Sequence, residues 1–205
     1  MVKKKGLLLV VSGPSGAGKG TICKELLKDN NQIKLSVSAT TRSPRAGEVE
    51  GVNYYFIGKD KFTDMIGKGE FLEYAQIYDN FYGTPKAAII ESLENGQNVL
   101  LEIEMQGAKQ IKEVYPEGVF IFVLPPSLEE LKNRIVGRGT ETKEEIDKRF
   151  SCAFEEINQI VNYDYFIVNE DVEKSAKEIE GIISSEKNKV SRYKNNIIAK
   201  FKEEL

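Results

Sequence analysis

The sequence predicts an α/β fold, a three-layer sandwich in which helices cover a parallel sheet. Two observations carry this. Short aliphatic runs alternate with helix-compatible segments along the 205 residues, and the first run passes straight into a glycine-rich turn followed by a helix, GPSGAGKGT from Gly13 to Thr21. Strands that alternate with helices pair in parallel, because each helix carries the chain back to the starting edge of the sheet. With 40% hydrophobic residues over 205 positions, the chain can bury one substantial core, so residues 1–205 read as a single unit.

In chain order, the first strand is Leu7 to Val11 and its helix starts at Lys19. The next pairs are Asn98 to Ile103 with a helix from about Gln106, Val119 to Leu124 with a helix from Ser127, and Tyr165 to Val168 with a helix from Asp171. Ser127 with Glu130, and Thr142 with Glu145, have capping-box spacing, which makes Gly137 to Thr140 a turn between two helices. Leu128, Leu131 and Ile135 form the expected core stripe of the first of these helices. Between about Ser36 and Lys86 the texture becomes aromatic and glycine-rich, with Tyr54, Tyr55, Phe56, Phe71, Tyr74, Tyr78, Phe81 and Tyr82, and reads as a small β-rich insertion. After Ser185, a Lys-rich segment places Val190, Tyr193, Ile197, Ile198 and Phe201 at helical spacing. That stripe fits a terminal helix packed on the body or a contact within a homo-oligomer.

Composition excludes several classes. A net charge of −3 gives no broad electrostatic footprint for nucleic acid, so anion recognition is expected in a local basic cleft. Histidine is absent, which removes Ser-His and Cys-His hydrolase mechanisms and histidine-ligated metals. Cys23 and Cys152 are far apart and lack metal-ligand spacing, so they read as free thiols in a reducing, cytoplasmic setting. The run Gly6 to Val11 behind Lys3 to Lys5 is too short for a signal peptide, and no segment has the length of a membrane span, so no membrane partner is expected.

Chemistry is concentrated in four places. In the turn Gly13, Pro14, Ser15, Gly16, Ala17, Gly18, Lys19, Gly20, Thr21, glycines let successive N–H groups converge on phosphate oxygens, and Lys19 adds positive charge beside a helix N-terminus. This is a P-loop arrangement, with Gly20 where the general pattern has Ser or Thr to hold Mg²⁺. The segment Ser36 to Glu48 sets Arg42 and Arg45 among hydroxyls, a composition that suits a phosphate clamp or an exposed basic loop. Glu102 and Glu104 stand two apart in LEIEMQG, which on a strand points both carboxylates to one face near its C-terminal end. Arg134 ahead of GRGT, Arg138 within it and Arg149 beyond it suit either surface charge or stabilisation of transferring phosphoryl oxygens.

In this order GPSGAGKGT, SVSATTRSPRAGE, GVNYYF, FLEYAQ, FYGTP, LEIEMQG, LPPS, GRGTET and IVNED span about Leu7 to Asp171, and together they resemble the guanylate kinase family. The resemblance implies phosphorylation of GMP, and of dGMP, by ATP. It implies a core over residues 1–35, 86–136 and 150–205, a GMP-binding lobe over about 36–85 and a helical lid over about 137–149. It further implies that Ser38, Arg42, Arg45, Tyr54 and Tyr82 hold the GMP phosphate, while Glu73, Thr84 and Glu104 face the guanine. Residues 13–21 and Asn169 are implied in ATP binding, and Lys19, Arg42, Arg134, Arg138 and Arg149 in catalysis. GKGT resembles the variant in nucleoside monophosphate kinases, in which Mg²⁺ is held largely through ATP phosphates and water; Glu102 and Thr21 are the candidate direct contacts. Glu102 and Glu104 depart from the family's frequent Asp, and Thr84 stands where Ser also occurs, so charge and hydroxyl are kept. Other classes that share these features are a non-catalytic protein-binding module and a P-loop kinase for another small phosphate acceptor.

Overall fold

Alternate residues of the first strand, β1 (Leu8–Ser12), face opposite sides of a sheet, and both sides are buried. Leu9 and Val11 join a cluster with Ile22, Leu26, Ala176, Ile179 and Ile183, whereas Leu8 and Val10 join a second one with Ile89, Leu93, Ala108 and Ile111. An unbroken aliphatic run is what a strand needs when helices cover both of its faces. The computed structural model describes residues 4–28, 30–77, 79–136 and 154–203. Within them β2 (Ile33–Leu35), β7 (Asn98–Glu102), β1, β8 (Val119–Leu124) and β9 (Tyr165–Val168) form, in that order, a wholly parallel five-stranded sheet. Helices α1 (Lys19–Lys28) and α6 (Val172–Glu186) supply the first cluster, and α3 (Lys86–Glu94) and α4 (Met105–Val114) the second. The expected α/β fold with a parallel sheet core is therefore the observed one.

The helix starts read from capping residues are formed. Ser127 Oγ accepts from the Glu130 N–H at 3.0 Å ahead of α5 (Leu128–Val136), and Asp171 accepts from the Lys174 N–H at 2.8 Å ahead of α6. The Glu130 carboxylate does not turn back to complete a capping box; it accepts from Arg134 Nε at 2.7 Å. In the stripe expected for α5, Leu131 is buried but Leu128 is 41% exposed, because a side chain at a helix terminus has neighbours on one side only. The Ile135 side chain, the Gly137 to Thr140 turn, the start at Thr142, Tyr78 and Cys152 lie outside the described residues.

A second, mixed sheet has the order β4 (Tyr55–Phe56), β3 (Ala39–Thr40), β6 (Asn80–Pro85), β5 (Phe71–Ile77). Its aromatic residues are partly spent on a helix that the β-rich reading did not anticipate, α2 (Lys59–Gly67). Phe62 of α2 is fully buried and stacks on Phe71 and Phe81, with ring centroids 4.5 and 5.5 Å away. The C-terminal α7 (Val190–Glu203) buries Tyr193 but leaves Val190, Ile197, Ile198 and Phe201 exposed, so the apolar stripe is only partly covered. No described helix is long and apolar enough to cross a membrane.

Candidate active site

At the carboxyl end of β1 the chain turns through Gly13, Gly16 and Gly18 at φ values of 146°, 90° and 92°, which L side chains rarely adopt. A Cβ at Gly18 would also lie 2.2 Å from Asn169 Nδ2. That amide donates to the Ala17 carbonyl at 2.8 Å. Arg134 reaches the same carbonyl at 3.4 Å through Nη1 and the Asn169 carbonyl at 3.2 Å through Nη2. Residues following β9 and on α5 thus pin the turn from one side. Lys19 folds back over it, its Nζ donating to the carbonyls of Gly13 at 2.6 Å and Pro14 at 3.2 Å.

Two carboxylates approach the turn. Glu102 ends β7, and a Cβ at Gly20 would come within 3.0 Å of its Oε1, so the space where a Ser or Thr would sit is bounded by a carboxylate. Partial burial pushes the Glu102 carboxyl up, Lys19 opposes this and Glu104 reinforces it. Glu156, in the helical residues 154–157, accepts from the Ser15 N–H at 3.3 Å. Burial pushes its carboxyl up, opposed by that N–H and by Lys19. The expectation that Glu102 and Glu104 share a strand face needs correction. The strand stops at Glu102, and Glu104 is the extended N-cap residue of α4, so alternation along one strand does not relate them. Thr21 is exposed on α1.

The second cluster belongs to the smaller sheet. Arg42 grips Glu48 with both arms, Nη1 to Oε2 at 3.0 Å and Nη2 to Oε1 at 2.9 Å, and the Arg45 N–H donates to Glu48 Oε2 at 2.7 Å. These donors hold the Glu48 carboxyl down to about 2, and Glu48 pushes Arg42 further up. The Arg42 guanidinium lies 5.5 Å from the Tyr54 ring centroid, and Tyr54 meets Tyr82 edge-on at 6.0 Å. Burial pushes the Tyr54 phenol up; Tyr82, Glu48 and Glu102 add to this and Arg42 opposes it. Ser38 is half-buried on the same edge, its carbonyl accepting from the Tyr55 N–H at 2.9 Å, and the Arg45 side chain is exposed.

The smaller sheet also holds a buried polar pair. Glu73 on β5 and Thr84 on β6 face each other in register, and Thr84 Oγ1 donates to Glu73 Oε1 at 2.5 Å. Thr84 is fully buried and Glu73 is 8% exposed. Burial pushes the Glu73 carboxyl up and the Thr84 hydroxyl opposes it.

Sequence reasoning gave Glu48 no role and missed Glu156. Glu48 lies six residues from Arg42 across a loop, and Glu156 is 141 residues from Ser15, so only the folded chain joins them to their partners. Arg138 and Arg149 lie outside the described residues.

Comparison with known proteins gives one answer. The family model described as guanylate kinase matches residues 5–186. A guanylate kinase of Clostridioides difficile (strain 630) is 84% identical over 205 residues, covering all of both chains. One from Caldanaerobacter subterraneus subsp. tengcongensis is 55% identical, covering 99% of this chain and 98% of its own. Among solved structures, the guanylate kinase of Anaplasma phagocytophilum superimposes with a TM-score of 0.76 at 37% identity, covering 93% of this chain and 91% of that one.

Proposed function

The chain belongs to the guanylate kinase family, and from that premise we propose that it moves the γ-phosphoryl group of ATP onto the phosphate of GMP, giving GDP and ADP. The observation that supports the acceptor is the buried Glu73–Thr84 pair, whose Thr84 shares β6 with Tyr82 of the Arg42–Tyr54–Tyr82 cluster. Guanine carries a ring N–H and an amino group side by side, which one carboxylate accepts together, while Thr84 gives its single hydroxyl proton to Glu73 and fixes the orientation of that carboxylate. Adenine would set a ring lone pair against the Glu73 carboxylate and leave buried groups unpaired.

Arg42, Arg45, Ser38, Tyr54 and Tyr82 bind the acceptor phosphate, and Glu104 lies near the base. For the donor, backbone N–H groups of the turn, Pro14 having none, and the Lys19 ammonium bind phosphates, Asn169 and Arg134 hold the turn in place, and Arg138 and Arg149 add charge at the transferring group. Among the described residues, the hydrogen-bond partners that Lys19 would leave when phosphate oxygens arrive are the Gly13 and Pro14 carbonyls. The acceptor phosphate is ionised at neutral pH, so it attacks in line without a general base, consistent with a chain that has no histidine. No group of three or more metal-ligating side chains occurs among the described residues. The oxygen donors Glu102 and Thr21 fit Mg²⁺, which keeps waters and binds through one or two carboxylates plus substrate phosphates; when bound it would neutralise donor phosphate charge. The free, buried Cys23, its thiol pushed up to about 12 by burial, suits a reducing cytoplasmic setting.

The test is ADP release from ATP in the presence of GMP, AMP, UMP or CMP. GMP should support turnover far above the others. Equal rates with all four, or ADP release that ignores the acceptor, would contradict the proposal.

A further inference from the structure

We propose that Gly107 and Gln110 of α4 are positioning residues for base recognition, holding the Glu73 carboxylate at a set depth beneath the acceptor base. This rests on the reading of Glu73 as the guanine-binding carboxylate. Gly107 is the third residue of α4 and buried, although glycine is among the poorest helix formers. The space around it accounts for this. A Cβ there would stand 2.7 Å from Glu73 Oε2, 3.0 Å from its Cδ and 3.3 Å from its Cγ. The carboxylate cannot retreat freely, because its other oxygen is tied to Thr84 Oγ1 at 2.5 Å. Any side chain at 107 would therefore displace the oxygen that faces away from Thr84, break the bond to Thr84 or shift β5.

Gln110, one helical turn on, fixes the strand itself. Its Oε1 accepts from the Tyr74 N–H at 3.2 Å and its Nε2 donates to the Tyr74 carbonyl at 2.9 Å. β5 is an edge strand of the smaller sheet, so this amide stands in for a missing neighbour strand at the residue next to Glu73. The register between β5 and β6 already shifts between Phe71 and Glu73, and a one-residue slip would turn Glu73 to the other face. Helix α4 follows β7 and packs on the larger sheet, so the depth of the carboxylate on the smaller sheet is set from the other half of the molecule. Recognition by paired hydrogen bonds tolerates displacements of only about 0.5 Å.

The experiment is a double-mutant cycle of Gly107→Ala and Glu73→Ala, with Gln110→Ala as an independent variant, read as KM and kcat for GMP and AMP. Gly107→Ala should raise KM for GMP about tenfold or more with kcat at saturation within about threefold and AMP kinetics unmoved, as expected when a buried hydrogen bond is misplaced. Once Glu73→Ala has removed the carboxylate, Gly107→Ala should cost less than about twofold. Gln110→Ala should raise KM for GMP in the same direction, by about threefold or more. Additive losses in the cycle, a fall in kcat with KM unchanged, or unchanged KM for GMP in both α4 variants would overturn the inference. If Glu73→Ala alone leaves GMP-over-AMP selectivity intact, the Glu73 reading itself fails. If it destroys selectivity while both α4 variants bind GMP normally, only the positioning role fails. Should Gly107→Ala not fold, Gln110→Ala decides by its KM.

Discussion

Lys19 illustrates what a single residue contributes. Its ammonium rests on the carbonyls of Gly13 and Pro14, within the glycine turn. Charge that develops on transferring oxygens is stabilised most by a cation already in place. Lys19→Met should lower kcat by about 10²- to 10³-fold while leaving the thermal midpoint nearly unchanged; turnover near the unmodified rate would remove the glycine turn from the mechanism. Residues 13–21 were legible in the sequence because a phosphate-binding backbone demands glycine at particular offsets. Glu48 and Glu156 were not, since a carboxylate carries no local mark of the partner that folding brings to it.

Among the elements, β1, β7, β8 and β9 of the larger sheet were read to within a residue of their ends, whereas β2, three residues long and exposed at two of them, left no aliphatic run to read. The smaller sheet was harder. β3 and β4 are two residues each, too short to show alternation, and α2 hid among aromatic residues whose period of three and four, Phe62, Met65 and Ile66, was outweighed by β propensity. The helix α7 was legible from its apolar spacing, but the polar network at its start was not. Glu186, 2% exposed at the end of α6, accepts from Tyr165 Oη at 2.6 Å, Lys189 Nζ at 2.9 Å and Arg192 Nε at 2.9 Å, while Arg192 Nη1 donates to the Glu117 carbonyl at 2.9 Å. Burial alone would raise the Glu186 carboxyl, but these donors outweigh it and hold it down to about 2. A folded-state value below the unfolded one, about 4.3, stabilises above that pH and loses its effect as pH falls toward the folded value. Glu186→Gln should therefore cost about 3 kcal/mol at pH 7, and the gap to the unmodified protein should close between about pH 4.5 and 2. Denaturant titrations across that range check this, and a gap independent of pH would mean that the network's charge contributes nothing.

At the scale of the whole molecule, two sheets divide the work. The larger one supplies the glycine turn, which pattern and order alone located, and the smaller one supplies Arg42 and the Glu73–Thr84 pair. That Glu73 faces Thr84 follows from the β5–β6 register, which the strand sequences by themselves do not fix, and that Gly107 gives Glu73 room follows from how α4 docks on β5. The central claim is that the acceptor base is read by the buried carboxylate and hydroxyl. Its most direct measurement is kcat/KM for GMP and for AMP, in the unmodified protein and in Glu73→Ala. A site built on hydrogen bonds to one base should favour GMP by about 10⁴- to 10⁵-fold, and the variant should lose that preference chiefly by losing GMP activity. Comparable values for the two nucleotides in the unmodified protein, or undiminished selectivity in Glu73→Ala, would contradict it.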